Sequence, residues 1–424
     1  MRENVSVNLG NLLLSLSDAL DLTSPLLAAH QQRTALIAWE ICKVAGLSQQ
    51  DTQDLFAAAL LHDIGALTPE EKIMIHDNVP AKLEPHCILG ELIVKDVPAI
   101  ERSAQIVRHH HKNWEDWDEP HDQQLVFKSQ ILVLSDLLER SLKRDQYILQ
   151  QSDELISAFN AKSGTILHPL VVDAFKDAAR REEFWLDLTS PRLYSLLLHY
   201  GPFKKIDIDF ANIFSFADLF RIIIDFRSHF TATHSSGIAA SAVALASLFG
   251  FTEAELKLME VAGYLHDLGK LVVPNSILEK PGKLDPDEFA VMRQHTYFTY
   301  MILNTIDGLE QVAEWAAYHH EKLDGSGYPF HLSAKDIPLG SRILAIADIF
   351  TALAEDRPYR KGMEKSGIEN ILYDMANDGK LDKRVAKTLF DNYDEIIVPM
   401  REKQAAAMEF YEQRFSKRVK KSFG

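Results

Sequence analysis

The segment GYLHDLG at residues 263–269 returns in the first half of the chain as ALLHDIG at residues 59–65. In the stretch that leads into the second copy, residues 253–265, apolar side chains recur every three or four positions. That spacing places them on one face of an amphipathic helix. Alternating apolar stretches of the kind that form strands are few. The sequence therefore predicts an all-α protein.

Histidines and aspartates extend this repeat over most of both halves. In the second half they follow the order His234, His266-Asp267, His295, His319-His320 and Asp348. In the first half the order is His30, His62-Asp63, His86, His109-His110 and Asp136. The first gap is 32 residues in both halves, and ILVLSD at 131–136 parallels ILAIAD at 343–348. This ordered set predicts two tandem helical domains related by internal duplication. We place the boundary at Gly201-Pro202, which gives domains of residues 1–200 and 201–424.

The composition limits what the protein can bind. Hydrophobic residues make up 46% and charged residues 25% of the 424 positions, as in ordinary globular proteins. A formal charge of −16 argues against binding of a DNA or RNA polymer, because affinity for a phosphate backbone needs a basic surface. No apolar run approaches the roughly 20 residues that span a bilayer, and the N-terminus lacks the features of a signal peptide. We therefore expect a cytoplasmic protein without membrane association.

The chain has only two cysteines, Cys42 and Cys87, which lie far apart and belong to no recognisable motif. Paired or clustered cysteines would indicate a disulfide or a metal site. For each of these we predict a lone buried thiol rather than a redox or metal role.

The repeated side chains favour a metal centre. Imidazole and carboxylate ligands spread over a hundred residues are more typical of an iron, manganese or zinc centre than of a structural zinc finger. Neighbouring side chains on a helix diverge by about 100°, so an aspartate beside a histidine can bridge two metals. Two metals roughly 3.5–4 Å apart are a recurring device for cleaving phosphoesters. One His-Asp pair alone is more often a surface or capping pair, but the ordered set of the second half predicts a metal site.

The second half resembles the HD-GYP phosphodiesterases over roughly residues 215–400. The motifs that carry the resemblance are HDLGK at 266–270, HHEKLDGSGYP at 319–329, IPLGSRILAIAD at 337–348 and DRPYR at 356–360. The resemblance implies two tandem HD-type domains and a metal-dependent phosphodiesterase. Its substrate would be a bacterial 3′,5′-linked cyclic dinucleotide, opened to the linear dinucleotide by a hydroxide that bridges the metals. Cyclic di-GMP is the family's usual substrate, and the sequence leaves 3′,3′-cyclic GMP-AMP open as an alternative.

The resemblance also implies roles for individual residues. One metal would be held by His234, His266, Asp267 and Asp348. The other would be held by Asp267, as the bridge, with His295, His319 and His320. Asp267 and Lys270 would be catalytic, with the ammonium near the scissile phosphate. The substrate-binding residues would be Tyr328, Arg342, Arg357 and Arg360, although arginines of this kind also form surface salt bridges.

The resemblance predicts two divalent metal ions, with iron or manganese favoured. Some family members bind a third metal through a glutamate four residues before the first histidine of the set. Phe230 occupies that position here and cannot be a ligand. We therefore expect two metals rather than three.

The first half offers a second candidate metal cluster, formed by His30, His62, Asp63, His86, His109, His110 and Asp136. Ala66 stands where the second half has Lys270, and no Gly-Tyr-Pro segment follows the histidines. The triple histidine His109-His110-His111 leaves the register open by one residue. We favour a regulatory domain that still binds metal, while a structural relic and a second active site remain alternatives.

Two other functions are compatible with the sequence. One is a general HD phosphohydrolase acting on another nucleotide, against which the Gly-Tyr-Pro loop and Lys270 argue. The other is a non-catalytic nucleotide-binding signalling scaffold, against which the complete ligand set of the second half argues. The habit of the family is compatible with a homodimer.

Overall fold

The computed structural model describes residues 6–22, 27–76, 83–117, 122–226, 233–356 and 361–413. Within these ranges the regular elements are helices, apart from one two-stranded sheet, which confirms the predicted all-α class. No helix in this part of the chain is long and apolar enough to cross a membrane.

The chain divides into two compact units, Asn8–Ile208 and Met1–Val7 with Asp209–Gly424. The first unit thus ends after Ile208, whereas the Gly201-Pro202 signal placed the boundary near residue 200. The segment after that turn packs within the first unit: the ring of Phe203 lies 6.0 Å from that of Phe56, and Pro202 accepts a hydrogen bond from Gln53.

The first unit contains eleven helices among its described residues. They are α1 (Leu9–Asp21), α2 (His30–Ala45), α3 (Gln49–Leu61), α4 (Pro69–His76), α5 (Leu83–Val94), α6 (Ala104–Arg108), α7 (Gln123–Ser141), α8 (Ile148–Asn160), α9 (Pro169–Ala179), α10 (Glu182–Leu188) and α11 (Leu193–Tyr200). The sheet pairs β1 (Val7–Asn8) with β2 (Asp207–Ile208).

The second unit contains ten helices among its described residues. They are α12 (Phe210–Phe226), α13 (His234–Ser247), α14 (Glu253–Leu265), α15 (Asn275–Leu278), α16 (Pro286–Asn304), α17 (Glu310–Ala317), α18 (Leu339–Ala354), α19 (Lys365–Asn377), α20 (Lys383–Asp391) and α21 (Tyr393–Tyr411).

Both units are built around a central helix that begins at the first histidine of the repeat. In the second unit α13 packs against α14, α18 and α21, and in the first unit α2 packs against α3, α7 and α9. The contact of α13 with α14 is close because Gly263 has no side chain: a Cβ there would lie 2.6 Å from the Cα of Ala239. The helix α14 begins with a capping box, in which Thr252 and Glu255 exchange hydrogen bonds with each other's backbone N–H groups.

A second close approach sets the position of α16 against the His-Asp turn. A Cβ on Gly269 would lie 1.9 Å from the carbonyl oxygen of His295 and 2.8 Å from the backbone nitrogen of Thr299. The first unit has the same arrangement, since a Cβ on Gly65 would lie 2.0 Å from the carbonyl oxygen of His86. Glycine at this position therefore allows the histidine of the neighbouring helix to reach the His-Asp pair.

We expect Gly269→Ala to destabilise the protein by about 1–3 kcal/mol, the usual cost of overpacking, and to weaken metal binding because α16 must move. Urea unfolding and metal analysis would measure the two effects. The matched control is Gly367→Ala, because a Cβ at that helical position meets only the flexible end of Met363. Unchanged stability and metal content in Gly269→Ala would contradict the packing argument.

Candidate metal centre

Five elements of the second unit bring the predicted ligands to one cluster. His234 begins α13, His266 and Asp267 follow α14, His295 lies within α16, His319 and His320 end the 3₁₀ turn after α17, and Asp348 lies within α18. Three groups have ligand atoms within 4.8 Å of one another, namely His234-His266-Asp348, His266-Asp267-His319 and His295-His319-His320. Because the groups share members, all seven predicted ligands form one continuous cluster.

Asp267 lies between the two ends of the cluster. Its Oδ2 is 3.1 Å from His266 Nε2 and 2.5 Å from Lys270 Nζ, while its Oδ1 is 3.4 Å from His295 Nε2. The two carboxylate oxygens therefore face different histidines. This is the arrangement that a bridging carboxylate requires.

Three histidines of the cluster, His266, His295 and His319, are held in the same way. In each of them Nδ1 lies within hydrogen-bond distance of the carbonyl oxygen three residues earlier in the chain. The carbonyls belong to Gly263, Met292 and Ala316, at 2.8, 2.7 and 2.6 Å. Because a carbonyl oxygen only accepts, Nδ1 carries the proton and donates it. The Nε2 lone pair of each ring is then left for a metal.

Several buried atoms of the cluster lack a hydrogen-bond partner among the described residues. They are Asp267 Oδ1, His295 Nε2 and His319 Nε2. An unsatisfied buried polar group costs about 1–3 kcal/mol. A divalent ion would satisfy all three at once, so the residues present fit a metal centre with nitrogen and oxygen ligands.

The protonation states of His295, His319 and Asp267 also fit metal binding. Burial lowers the pKa of His295 to about 4 and that of His319 to about 3, so both rings are neutral at pH 7. Burial alone would raise the pKa of Asp267, but His266 and Lys270 hold it well below its usual value. Neutral imidazole and ionised carboxylate are the forms that bind metals.

The first unit brings its histidines together in two groups. His30, His62 and Asp63 form one, and Asp136 joins it with Oδ1 3.5 Å from His30 Nε2. The other consists of His86, Cys87, His110 and His111. The predicted cluster included neither Cys87, for which we predicted a lone thiol without a metal role, nor His111. The signal that could have revealed the cysteine is its position directly after His86.

His109 does not join either group, and this corrects the predicted set. Its ring packs against Trp117, with 4.9 Å between the ring centroids. The register follows from the end of α6: His110 Nδ1 bonds to the Val107 carbonyl three residues earlier, as His319 does in the second unit. His110 and His111 therefore correspond to His319 and His320.

A family model described as HD domain matches residues 15–161 and again residues 218–385. The chain belongs to the HD domain family. Because the two matches fall in the two helical units, they confirm the predicted duplication of an HD-type domain.

Curated relatives resemble the chain over different lengths. The 3′3′-cGAMP-specific phosphodiesterase 1 of Vibrio cholerae serotype O1 is 29% identical over 91% of this chain and 92% of its own length. The cyclic di-GMP phosphodiesterase response regulator of Xanthomonas campestris pv. campestris is 38% identical over 37% of this chain and 42% of its own length. A crystal structure of a cyclic GMP-AMP-specific phosphodiesterase from V. cholerae has a TM-score of 0.61 and 23% identity, covering 95% of this chain and 98% of that one. This structure shares the fold.

The Gly-Tyr-Pro loop of the second HD domain lies beside the cluster. The ring of Tyr328 is 5.0 Å from that of His320 and 6.0 Å from that of Phe289. Buried Glu321 holds the loop in place by accepting hydrogen bonds from the backbone N–H groups of Phe330, at 2.7 Å, and Leu332, at 3.0 Å. The sequence analysis quoted Glu321 within the motif but gave it no role.

Arg342 is held by three contacts within the protein. Its guanidinium pairs with Asp382 at 3.0 Å and donates to the backbone carbonyls of Ile337 and Ala334. These contacts give the side chain a structural role, and its predicted role in substrate binding stays a prediction. Three other residues that the sequence analysis used lie outside the described residues, namely Arg357, Arg360 and Phe230.

A buried carboxylate orients His234, the first predicted ligand of the second HD domain. Glu355 Oε2 lies 3.2 Å from His234 Nδ1 and also accepts a hydrogen bond from Gln404. Burial would lower the pKa of His234, but Glu355 and Asp348 raise it to about 10. The sequence analysis missed this residue. It lies seven positions after Asp348, about two helical turns along the same face, which is a signal that could have found it.

We expect Glu355→Gln to weaken manganese affinity about 10- to 100-fold, the usual effect of removing a carboxylate that orients a metal-binding histidine. Titration of the metal-free protein against a competing chelator would measure the change. Glu364→Gln, at an exposed position before α19, should leave the affinity unchanged. Equal affinities for wild type and Glu355→Gln would contradict this role.

Proposed function

We propose that the chain is a metal-dependent phosphodiesterase that opens 3′,3′-cyclic GMP-AMP to the linear dinucleotide in its second HD domain. The observation that carries this proposal is the buried His/Asp cluster with three unsatisfied atoms and a lysine at its edge. The choice of substrate is supported by the cGAMP-specific relative. Its similarity covers 91% of this chain and 92% of its own length, so it spans both HD domains. The cyclic di-GMP relative matches only 37% of this chain.

Two divalent ions, iron or manganese, fit the donor set of the cluster. One would be held by His234, His266, Asp267 and Asp348, and the other by Asp267, His295, His319 and His320. When bound, they would supply positive charge at the scissile phosphate and activate the attacking water. The protein contributes neutral imidazoles already oriented by backbone carbonyls, so little reorganisation is needed when the ions bind.

Lys270 is suited to stabilise the leaving oxygen. Its Nζ lies 2.5 Å from Asp267 Oδ2, and 21% of the side chain remains exposed. The ammonium is thus held beside the bridging carboxylate while still facing solvent. A fixed cation at this point stabilises negative charge as it develops on the leaving oxygen and can donate a proton to it.

Aromatic side chains at the rim of the cluster are suited to a nucleobase. Tyr328 and Phe289 meet edge to face, and Phe289 is 44% exposed. The guanidinium of Arg293 lies 5.6 Å from the Phe289 ring. Bases stack on such rings, and a nearby guanidinium can contact phosphate.

A substrate panel tests the proposal. The chain, loaded with manganese or ferrous iron, would be given 3′,3′-cyclic GMP-AMP, its isomers with 2′-linkages, cyclic di-GMP and a generic phosphodiester. We expect the highest kcat/KM for 3′,3′-cyclic GMP-AMP, with the linear dinucleotide as product. A preference for cyclic di-GMP, the second candidate, would overturn the substrate assignment but leave the reaction class intact. Hydrolysis of the generic diester alone would overturn the assignment to cyclic dinucleotides, and no hydrolysis of any substrate would overturn the reaction class.

A further inference from the structure

Four metal-binding side chains meet in the first HD domain, and one of them is a thiol. His86 and Cys87 lie on α5, and His110 and His111 follow α6. Each offers one ligand atom, and these atoms all lie within 4.8 Å of one another. Among the described residues, the groups in the second HD domain contain only histidine and aspartate.

The spacing of this His-Cys cluster matches tetrahedral coordination. With ordinary metal–ligand bond lengths, a tetrahedral zinc ion holds two nitrogens roughly 3.3 Å apart and a nitrogen and a sulfur about 3.6 Å apart. Here His86 Nε2 lies 3.1 Å from His110 Nε2. Cys87 Sγ lies 3.7 Å from His86 Nε2. The donors are thus already close to the distances that one ion would impose.

Two further atoms beside the His-Cys cluster indicate a missing partner. His111 Nε2 and Asp63 Oδ1 are buried and have no hydrogen-bond partner among the described residues. Asp63 Oδ1 lies 3.6 Å from His86 Nε2 and 3.7 Å from His110 Nε2. A cation between these groups would satisfy both atoms, and Asp267 Oδ1, the counterpart of Asp63 Oδ1 in the second HD domain, is unsatisfied in the same way.

The duplication shows what distinguishes the His-Cys cluster. Thr296 directly follows His295 in the second HD domain, at the position that Cys87 has after His86. Its hydroxyl donates to the carbonyl of Arg293. A thiolate is a softer ligand than oxygen and favours zinc over manganese. The two HD domains therefore present donor sets for different ions.

In the first HD domain the charge of Asp136, outside the His-Cys cluster, is already balanced by an arginine. Arg140 pairs with Asp136 at 2.6 Å, and both side chains are buried. The corresponding position in the second HD domain, four residues after Asp348, is Ala352. A guanidinium beside this carboxylate opposes a second cation there. The donors that favour a metal are therefore those of the His-Cys cluster.

We propose that the first HD domain binds a zinc-type divalent ion through the Cys87 thiolate together with His86, His110 and His111. This site is separate from the proposed phosphodiesterase centre, and its existence does not depend on that activity.

Cobalt tests the proposal directly in the full-length chain. A thiolate bound to Co²⁺ gives a charge-transfer band in the near ultraviolet, whereas histidine and carboxylate ligands give none. Because the chain has only two cysteines, a band in Cys42→Ser can come only from Cys87. Cys87→Thr introduces the side chain that the second HD domain has at this position, and circular dichroism would check that it folds.

We expect the band in cobalt-loaded wild type and in Cys42→Ser, and its complete loss in Cys87→Thr. Cobalt binding to wild type without the band would overturn the proposal and leave Cys87 as a hydrogen-bonded thiol. A band that persists in Cys87→Thr or disappears in Cys42→Ser would also overturn it. The spectra of wild type and Cys42→Ser are sufficient to test the proposal, so it can be refuted even if Cys87→Thr does not fold.

Discussion

Asp267→Asn is expected to lower kcat for 3′,3′-cyclic GMP-AMP by roughly 10³-fold or more, a loss of about 4 kcal/mol of transition-state stabilisation. The substitution keeps the shape of the side chain but removes its charge, so it can no longer bridge two cations. It also removes the negative charge that pairs with Lys270 Nζ at 2.5 Å. Initial rates at saturating substrate, together with the manganese content of the purified protein, would measure both effects.

The matched control is Asp63→Asn in the first HD domain. Asp63 follows His62 as Asp267 follows His266, so the same chemical change is made in the other copy of the repeat. We expect Asp63→Asn to retain most of the activity, because Ala66 stands there where the second domain has Lys270. Similar losses in the two variants, or a loss only in Asp63→Asn, would contradict the assignment of catalysis to the second HD domain.

Lys270→Ala is expected to lower kcat about 10²- to 10³-fold, as removal of a single group that stabilises transition-state charge commonly does. Metal content should stay at the wild-type level, because no ligand is removed. The substitution gives the second HD domain the residue that the first has at this position. Lys280→Ala is a suitable control, since Lys280 pairs with Glu288 and is not part of the cluster.

The effect of Lys270→Ala should lie in kcat rather than in KM, because the proposed role is to stabilise charge that develops during the reaction. Rates measured over a range of substrate concentrations would separate the two parameters. An unchanged kcat, or a loss that is explained by missing metal, would refute the proposed role of this lysine.

Much of the fold and of the second site was predictable because both depend on features that are local in sequence. Apolar spacing of three and four residues predicted helices such as α14, and the ordered histidines predicted the duplication. The predicted ligand residues lie in one cluster, and helix ends place two of them: His234 begins α13, and His266 is the C-cap of α14.

The residues that the sequence did not predict depend on details of geometry. His109 is the C-cap of α6, as Tyr318 is of α17, so the two histidines that follow the cap, not His109 itself, enter the first domain's cluster. That register depends on where a five-residue helix ends, which the apolar pattern does not determine. The sequence did not predict the partners of Arg342, which are Asp382, forty residues away in the chain, and the backbone carbonyl of Ala334. Glu355 acts through His234, more than a hundred residues away in the chain.

The most direct test of the central claim is the fate of excess 3′,3′-cyclic GMP-AMP incubated with the manganese-loaded wild-type chain, followed by chromatography of the nucleotides and metal analysis of the same sample. We predict many turnovers per chain, with the linear dinucleotide as the product. If the chain holds its metal and binds the nucleotide, yet the cyclic dinucleotide stays intact, the protein is a nucleotide-binding scaffold and the account of it as a phosphodiesterase is wrong.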